Sequence, residues 1–364
     1  MAKSGVEELR ALPYKKGDYA SRAWGHPFHT FVSYPSKLKP SIAHFLVRLF
    51  TRPGEKVLDP FSGVGTIPFE ASLQGRIGIG ADLGPIGFHA TRAKVSPPAL
   101  TKVESTVQVL RKFIASNKGR FSEADAEKEL VEYYHPETLL ELLAAREYFA
   151  SRDSDADSFV LASLLHILHG NRPYALSRRS HNIMPWPPRG EFVYKSVADY
   201  TAVKALRMAS CALPPTFRRG RSLLADVTEV PIEAAAVDAI LTSPPFHGNR
   251  DFLRMNRIRL WCAGWDYEFQ QTMKSKFFEH QKDMSLYVAA FKEFRRILKP
   301  AGICVMHLGI VKQLDMAAEL KPLAEEQGFS VHNIVNEDTS TLESHGIRDR
   351  GATHTHQFLV MTSE

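Results

Sequence analysis

The sequence predicts an α/β fold: a doubly wound, mostly parallel sheet interrupted by a helical insertion. Three observations predict it. A strand, turn, helix and strand occupy residues 56–82, alternation of strand and helix resumes at Arg221, and the stretch between them carries helical patterning instead.

In chain order, residues 40–50 space their apolar side chains for a helix, and Arg52-Pro53-Gly54 ends it. Residues 56–59 form a short apolar strand ending in Asp59. A glycine-rich turn follows, then a helix over 67–74 closed by Gly75, then a strand over 77–82 that again ends in an acid, Asp82. Such a βαβ unit implies parallel neighbours joined by a right-handed crossover. From Ser96 to Gly220 the pattern is mainly helical; it opens with Pro97-Pro98 and contains a polar, basic stretch from Asn171 to Lys195. Strands are expected again at 221–226 and 237–242. An amphipathic helix over 286–298, a turn at 299–302 and a strand over 303–307 come next, and 329–335 and 356–362 supply the last two strands. The chain thus divides into residues 1–100, holding the first half of the sheet, residues 101–220, the insertion, and residues 221–364, the second half.

Composition narrows the function class. The 364 residues are enough to bury a large core, and no apolar run is long enough to span a bilayer. The first residues lack the layout of a secretory signal, so a cytoplasmic, nucleoid-associated protein without membrane contact is expected. Cys211, Cys262 and Cys304 are far apart and in no metal-ligand spacing, so neither disulfides nor a metal site is expected. A net charge of +6 suits a polyanionic partner without requiring one.

Two motifs carry the chemistry. The first is Asp59-Pro-Phe-Ser-Gly-Val-Gly-Thr66, between strand and helix. Glycines there let the backbone approach a bound cofactor closely. A dinucleotide oxidoreductase is disfavoured, because the third glycine of that fingerprint is replaced by Pro68. Asp82 is placed to accept from ribose hydroxyls, and Asp226 from an adenine amino group; the alternative is that each acid caps the turn after it. Asp59 acts by orienting the glycine turn.

The second motif is Thr242-Ser-Pro-Pro-Phe246, directly after a strand. Its prolines fix the backbone and free carbonyls to accept, while Phe246 offers a face to a planar base. An exocyclic amine is a poor nucleophile while its lone pair is delocalised into the ring. Acceptors at Ser243 Oγ and the Pro244 carbonyl would hold its hydrogens and aim that lone pair at an activated methyl group, so positioning supplies most of the catalysis. Attack on a ring carbon would need a cysteine beside a proline. The corresponding position is Pro245, and no cysteine in the chain follows a proline.

Together the motifs resemble the S-adenosylmethionine-dependent amino-methyltransferases of DNA, which make N4-methylcytosine and N6-methyladenine. The similarity covers residues 30–95 and 221–310. It implies a Rossmann-like, seven-stranded methyltransferase sheet with one antiparallel strand, and S-adenosylmethionine as cofactor with S-adenosylhomocysteine as product. It assigns Asp59, Pro60, Phe61, Ser62, Gly63, Gly65 and Thr66 to the cofactor loop, with Tyr34, Pro35 and Lys37 of the segment 31–39 as further contacts. Ser243, Pro244, Pro245 and Phe246 become the amine pocket, and serine at the first position favours cytosine N4. The implied substrate is double-stranded DNA with a flipped base, and the sequence leaves open whether a cognate restriction endonuclease exists. N6-adenine methylation, RNA amino-methylation with the same pocket, and a catalytically silent binding subunit are the alternatives. Nucleic-acid contacts are expected from Arg172, Tyr174, Arg178, Arg179, His181 and Asn182, and from Arg250 and Arg254 beyond the second motif. Size and basic content make residues 101–220 the candidate target-recognition region, although the family usually places that region between the third and fourth strands, where this chain has only residues 227–236.

Overall fold

Eight strands form one sheet in the computed structural model, which describes residues 2–11, 17–21, 23–181, 184–246, 251–281, 283–338 and 353–364. They are β1 (Lys56–Asp59), β2 (Ile77–Asp82), β3 (Arg221–Leu224), β4 (Val237–Thr242), β5 (Leu298–Val311), β6 (Leu314–Asp315), β7 (Phe329–Asp338) and β8 (Thr353–Ser363). The order is β3-β2-β1-β4-β5-β8-β7, with the two-residue β6 paired to β5. Neighbours from β3 through β5 are parallel, whereas β8 runs antiparallel to both β5 and β7. This is the expected sheet of seven main strands with one reversed.

Alternation along the strands explains the layering. Val57, Ala239, Leu241, Ile303 and Val305 face one core, shared with helices Ala2–Arg10, Pro40–Phe50 and Thr66–Leu73. Their neighbours Leu58, Ile240, Cys304 and Met306 face the other, shared with helices Leu286–Ile297 and Met316–Glu326. A third core joins helices Leu100–Asn117, Pro136–Ala150, Asp155–Ile167 and Val197–Ala209 to helix Pro85–Val95 and to Phe28, Phe31 and Val32. Phe28 stacks on Phe69 of helix Thr66–Leu73 and meets Phe159 edge-on at 6.0 Å. The segment preceding helix Pro40–Phe50 is thereby clamped between helix Thr66–Leu73 and the insertion.

Two expectations need correction. β5 begins at Leu298, so the turn at 299–302 lies inside the strand as a bulge: Val237 pairs with Leu298 but Ala239 with Ile303, and Ala301 takes a positive φ of 58°. β3 stops at Leu224 rather than at Asp226. It is a half-exposed edge strand, and the Asp226 carboxylate turns back onto Thr228. No helix among the described residues is long and apolar enough to cross a membrane.

Candidate active site

β1 and β4 lie side by side and parallel, at the point where the order of strands reverses. The loops that follow them therefore leave from the same end of the sheet, where a crevice forms in open α/β sheets. A cavity of about 550 Å³ opens there, lined by Tyr34, Lys37, Asp59, Pro60, Phe61, Ser62, Gly63, Thr66, Asp82 and Asp226 and also by Ser243, Pro244, Pro245 and Phe246. The glycine turn and the Ser-Pro-Pro-Phe corner share one space.

Gly65 stands behind that wall. Its φ of 70° is left-handed, and a Cβ on it would approach Thr91 Oγ1 to 2.6 Å. Its contribution is the sharp turn that delivers Thr66 to the start of the helix. Asp59 also shapes the turn: Oδ1 accepts from the Phe61 N–H at 3.1 Å and from the Thr242 hydroxyl at 2.6 Å. That second bond ties the first motif to the second. Asp82 Oδ2 accepts from Gly63 N at 2.8 Å and Oδ1 from Gly84 N at 2.9 Å, leaving one further lone pair on each oxygen.

Burial pushes Asp59 up to about 7 and Asp82 up to about 6, although hydrogen bonds pull each the other way. Glu279 also lines the cavity and is pushed up to about 7 by burial; its Oε1 accepts from Phe252 N at 3.3 Å while Oε2 has no partner among the described residues. Two buried carboxyl groups, Asp59 and Glu279, and the half-buried Asp82 around one space attract a cationic ligand, because a nearby positive charge restores their ionised form.

Asp226 behaves otherwise. Burial raises its proton affinity, but Thr228 N–H, the Thr228 hydroxyl and the Lys276 ammonium outweigh that and hold it low. Both the capping geometry and cavity access are present in one side chain. Lys37 reaches back to the His29 carbonyl at 2.5 Å, and burial depresses its proton affinity.

At the corner, Ser243 Oγ lies 3.1 Å from His307 Nδ1. The register explains the pairing: Thr242 is opposite Met306 on parallel strands, so the next residues fall together. Phe246 packs onto Gly309, where a Cβ would come within 2.7 Å of its ring. Sequence reasoning missed His307, Glu279, Glu337 and His356, all of which line the cavity. For His307 a signal existed, since it follows the apolar run of the strand beside β4; Glu337 and His356 depend on the β7–β8 pairing, which local sequence does not announce.

The basic loop separates into exposed and committed residues. Arg172, Arg179 and His181 are exposed, and Tyr174 is 43% exposed while stacking on His166 at 5.5 Å. His166 Nδ1 is 3.4 Å from Ser33 Oγ, next to Tyr34 of the cavity wall. His181 stacks on Trp186, which is 59% exposed. Arg178 instead donates to the Gly190 and Glu132 carbonyls and lies over Phe192. Arg254 is exposed on helix Phe252–Cys262, but Arg257 pairs with Glu129 and Arg259 is fully buried, donating to the Leu165 carbonyl. Arg254, expected to contact nucleic acid, is thus exposed beside Arg257 and Arg259, which hold the insertion. Asn182 and Arg250 lie outside the described residues.

Residues 29–138 match the family model of the RMKL-like methyltransferase domain. The chain is 35% identical over 72 residues to a tRNA (guanine(10)-N2)-dimethyltransferase of Methanothermobacter thermautotrophicus, a stretch that is 20% of this chain and 21% of that protein. Among solved structures, TrmN from Thermus thermophilus is 15% identical with a TM-score of 0.32, covering 90% of this chain and 49% of that one. A TehB-like S-adenosylmethionine-dependent methyltransferase from Corynebacterium glutamicum is 12% identical with a TM-score of 0.34, covering 88% and 87%. Neither likeness bears on function. The expected kinship with DNA N4-cytosine enzymes finds no counterpart in the matched family or in the curated relative, whose name concerns tRNA and guanine.

The methyltransferase match makes S-adenosylmethionine the cofactor. The cavity suits it: Gly63 lines it without a side chain, Asp82 retains acceptor capacity for ribose hydroxyls, and the carboxyl groups answer the positive charges of its sulfonium and ammonium. When bound, it supplies an activated methyl group.

Proposed function

We propose that this chain, with a methyltransferase match over residues 29–138, transfers methyl groups from S-adenosylmethionine to an exocyclic amino group of an RNA base, guanine N2 foremost. The observation that carries the reading is the single cavity lined by both the glycine turn and the Ser243–Phe246 corner. The cofactor side is Asp82, Gly63 and the carboxyl ring; the base side is Phe246 for stacking, with Ser243 Oγ and the Pro244 carbonyl as acceptors for the amine hydrogens. Held in this way, the amine's lone pair points out of the base plane toward the methyl group, and orientation does most of the work.

The choice of RNA is supported by the similarity to the tRNA guanine-N2 enzyme and by the exposed rings of Tyr174 and Trp186 beside Arg172 and Arg179. Aromatic faces with interleaved arginines suit unpaired bases, which stack on side chains without first leaving a duplex. A second reading, cytosine N4 in DNA, is favoured by the serine of the tetrad. The two separate in a competition assay: with methyl-labelled cofactor and equal nucleotide amounts of structured RNA and duplex DNA, label is expected in RNA. Label confined to DNA would transfer the proposal to the second reading, and label in neither would end both.

A further inference from the structure

Behind the amine pocket lies a cluster of titratable groups for which methyl transfer as described so far has no use. His307, on β5, is 4% exposed, borders the cavity, and brings Nδ1 to 3.1 Å from Ser243 Oγ. Its Nε2 has no hydrogen-bond partner among the described residues. Around it stand Phe246 at 5.9 Å, Phe358 at 5.1 Å and His356 at 4.7 Å between ring centroids, and His356 Nδ1 is 3.9 Å from Glu337 Oε2. An imidazole in this position decides what the serine can do. A hydroxyl has one proton, and if that proton is donated to Nδ1 the oxygen's lone pairs are turned outward to the cavity.

We propose that His307 is the positioning residue that makes Ser243 an acceptor and then receives the proton the amine must lose. This rests on the amino-methylation reading above. In the step, the amine nitrogen forms a bond to the methyl carbon, the carbon–sulfur bond breaks with its electron pair passing to sulfur, and the nitrogen is left cationic. It sheds one hydrogen as a proton to Ser243 Oγ, while the serine's own proton passes to His307 Nδ1. The products are a neutral methylated amine, a neutral thioether, an intact serine and an imidazolium. Burial, with the adjacent His356, holds the His307 imidazole well below the usual histidine range, so it waits neutral with an unprotonated nitrogen. A methylated cationic base nitrogen is acidic enough to protonate even such an imidazole, and once the product has left, the Nδ1 proton returns to Ser243 Oγ as the serine releases its own proton to the cavity, which restores the starting tautomer.

The first test needs neither cofactor nor turnover. Nitrogen-15 NMR of the histidines in the full chain should show His307 as the neutral tautomer with Nδ1 unprotonated and Nε2 protonated, a signal that shifts in Ser243→Ala. The opposite tautomer overturns the proposal. The second is single-turnover transfer. His307→Asn keeps an acceptor near Nδ1 but cannot carry a proton, so the rate should fall about 100-fold, within the range of general acid–base effects, with the cofactor Kd unchanged. Ser243→Ala should lose a similar factor, and the double variant no more than Ser243→Ala alone, since the two act as a unit. Losses that multiply, or a His307→Asn enzyme at wild-type rate, refute the relay while leaving methylation of the amine intact. A wild-type protein that transfers no methyl group to any nucleic acid refutes the functional reading beneath it. If His307→Asn does not fold, the tautomer in the wild-type chain decides.

Discussion

Asp82 couples the cofactor pocket to pH. Desolvation of this half-buried carboxyl raises its proton affinity to about 6, above the ordinary carboxylate value, so without cofactor the folded chain binds this proton more tightly than the unfolded chain does. Ionised Asp82 therefore costs stability at neutral pH, and that stability is regained as pH falls toward 6 and below. Cofactor binding has the opposite dependence, since a cationic ligand wants the carboxylate. Its Kd, measured by calorimetric titration, should weaken as pH drops through about 6, approaching about tenfold per unit below it; an affinity level down to pH 5 would remove Asp82 from the site. Gly65→Ala should destabilise the fold by about 1–3 kcal/mol in denaturant unfolding, because alanine must adopt φ 70° and press on Thr91. At this scale the sequence was legible where a residue type is tied to a strand end, as for Asp59 and Asp82. For His307 only the place after an apolar run could be read, not the role, which arises from a partner 64 residues away.

Between the strands, the loop of residues 171–195 carries the recognition argument. The basic stretch could be read directly, but not which arginines are committed: Arg178 braces two backbone carbonyls, while Arg172 and Arg179 face solvent. Removing Arg172 or Arg179 should reduce the salt dependence of RNA binding, by about 0.7 in the log–log slope for each phosphate that is no longer neutralised. Arg178→Ala should instead lower thermal stability and leave the slope unchanged. Trp186→Ala should weaken binding of single-stranded RNA by about 1–3 kcal/mol, the worth of one stacked base, with cofactor affinity unaltered. Filter binding at several salt concentrations reads the RNA affinities and their slopes; a Trp186 variant that binds normally would place the stacking surface elsewhere.

For the whole molecule, the fold was the most legible part. Two strand, turn and helix units separated by a helical stretch determine a parallel sheet whose reversal point lies between β1 and β4, and both motifs sit at that end. Local pattern did not show that β8 inserts between β5 and β7, because that order depends on pairing among distant strands. Nor did it show that the insertion shares a continuous core with the N-terminal segment. The nature of the polymer was the hardest to read. Any exocyclic amine needs the same two acceptors and one aromatic face, so the tetrad reports the reacting group more directly than the substrate that carries it.

The most direct measurement is therefore the atom that receives the methyl group. RNA treated with the protein and isotopically labelled S-adenosylmethionine, digested to nucleosides and resolved by mass spectrometry, should carry the label on an exocyclic nitrogen, as N2-methylguanosine. Label on a ring carbon or a ribose oxygen would contradict the account.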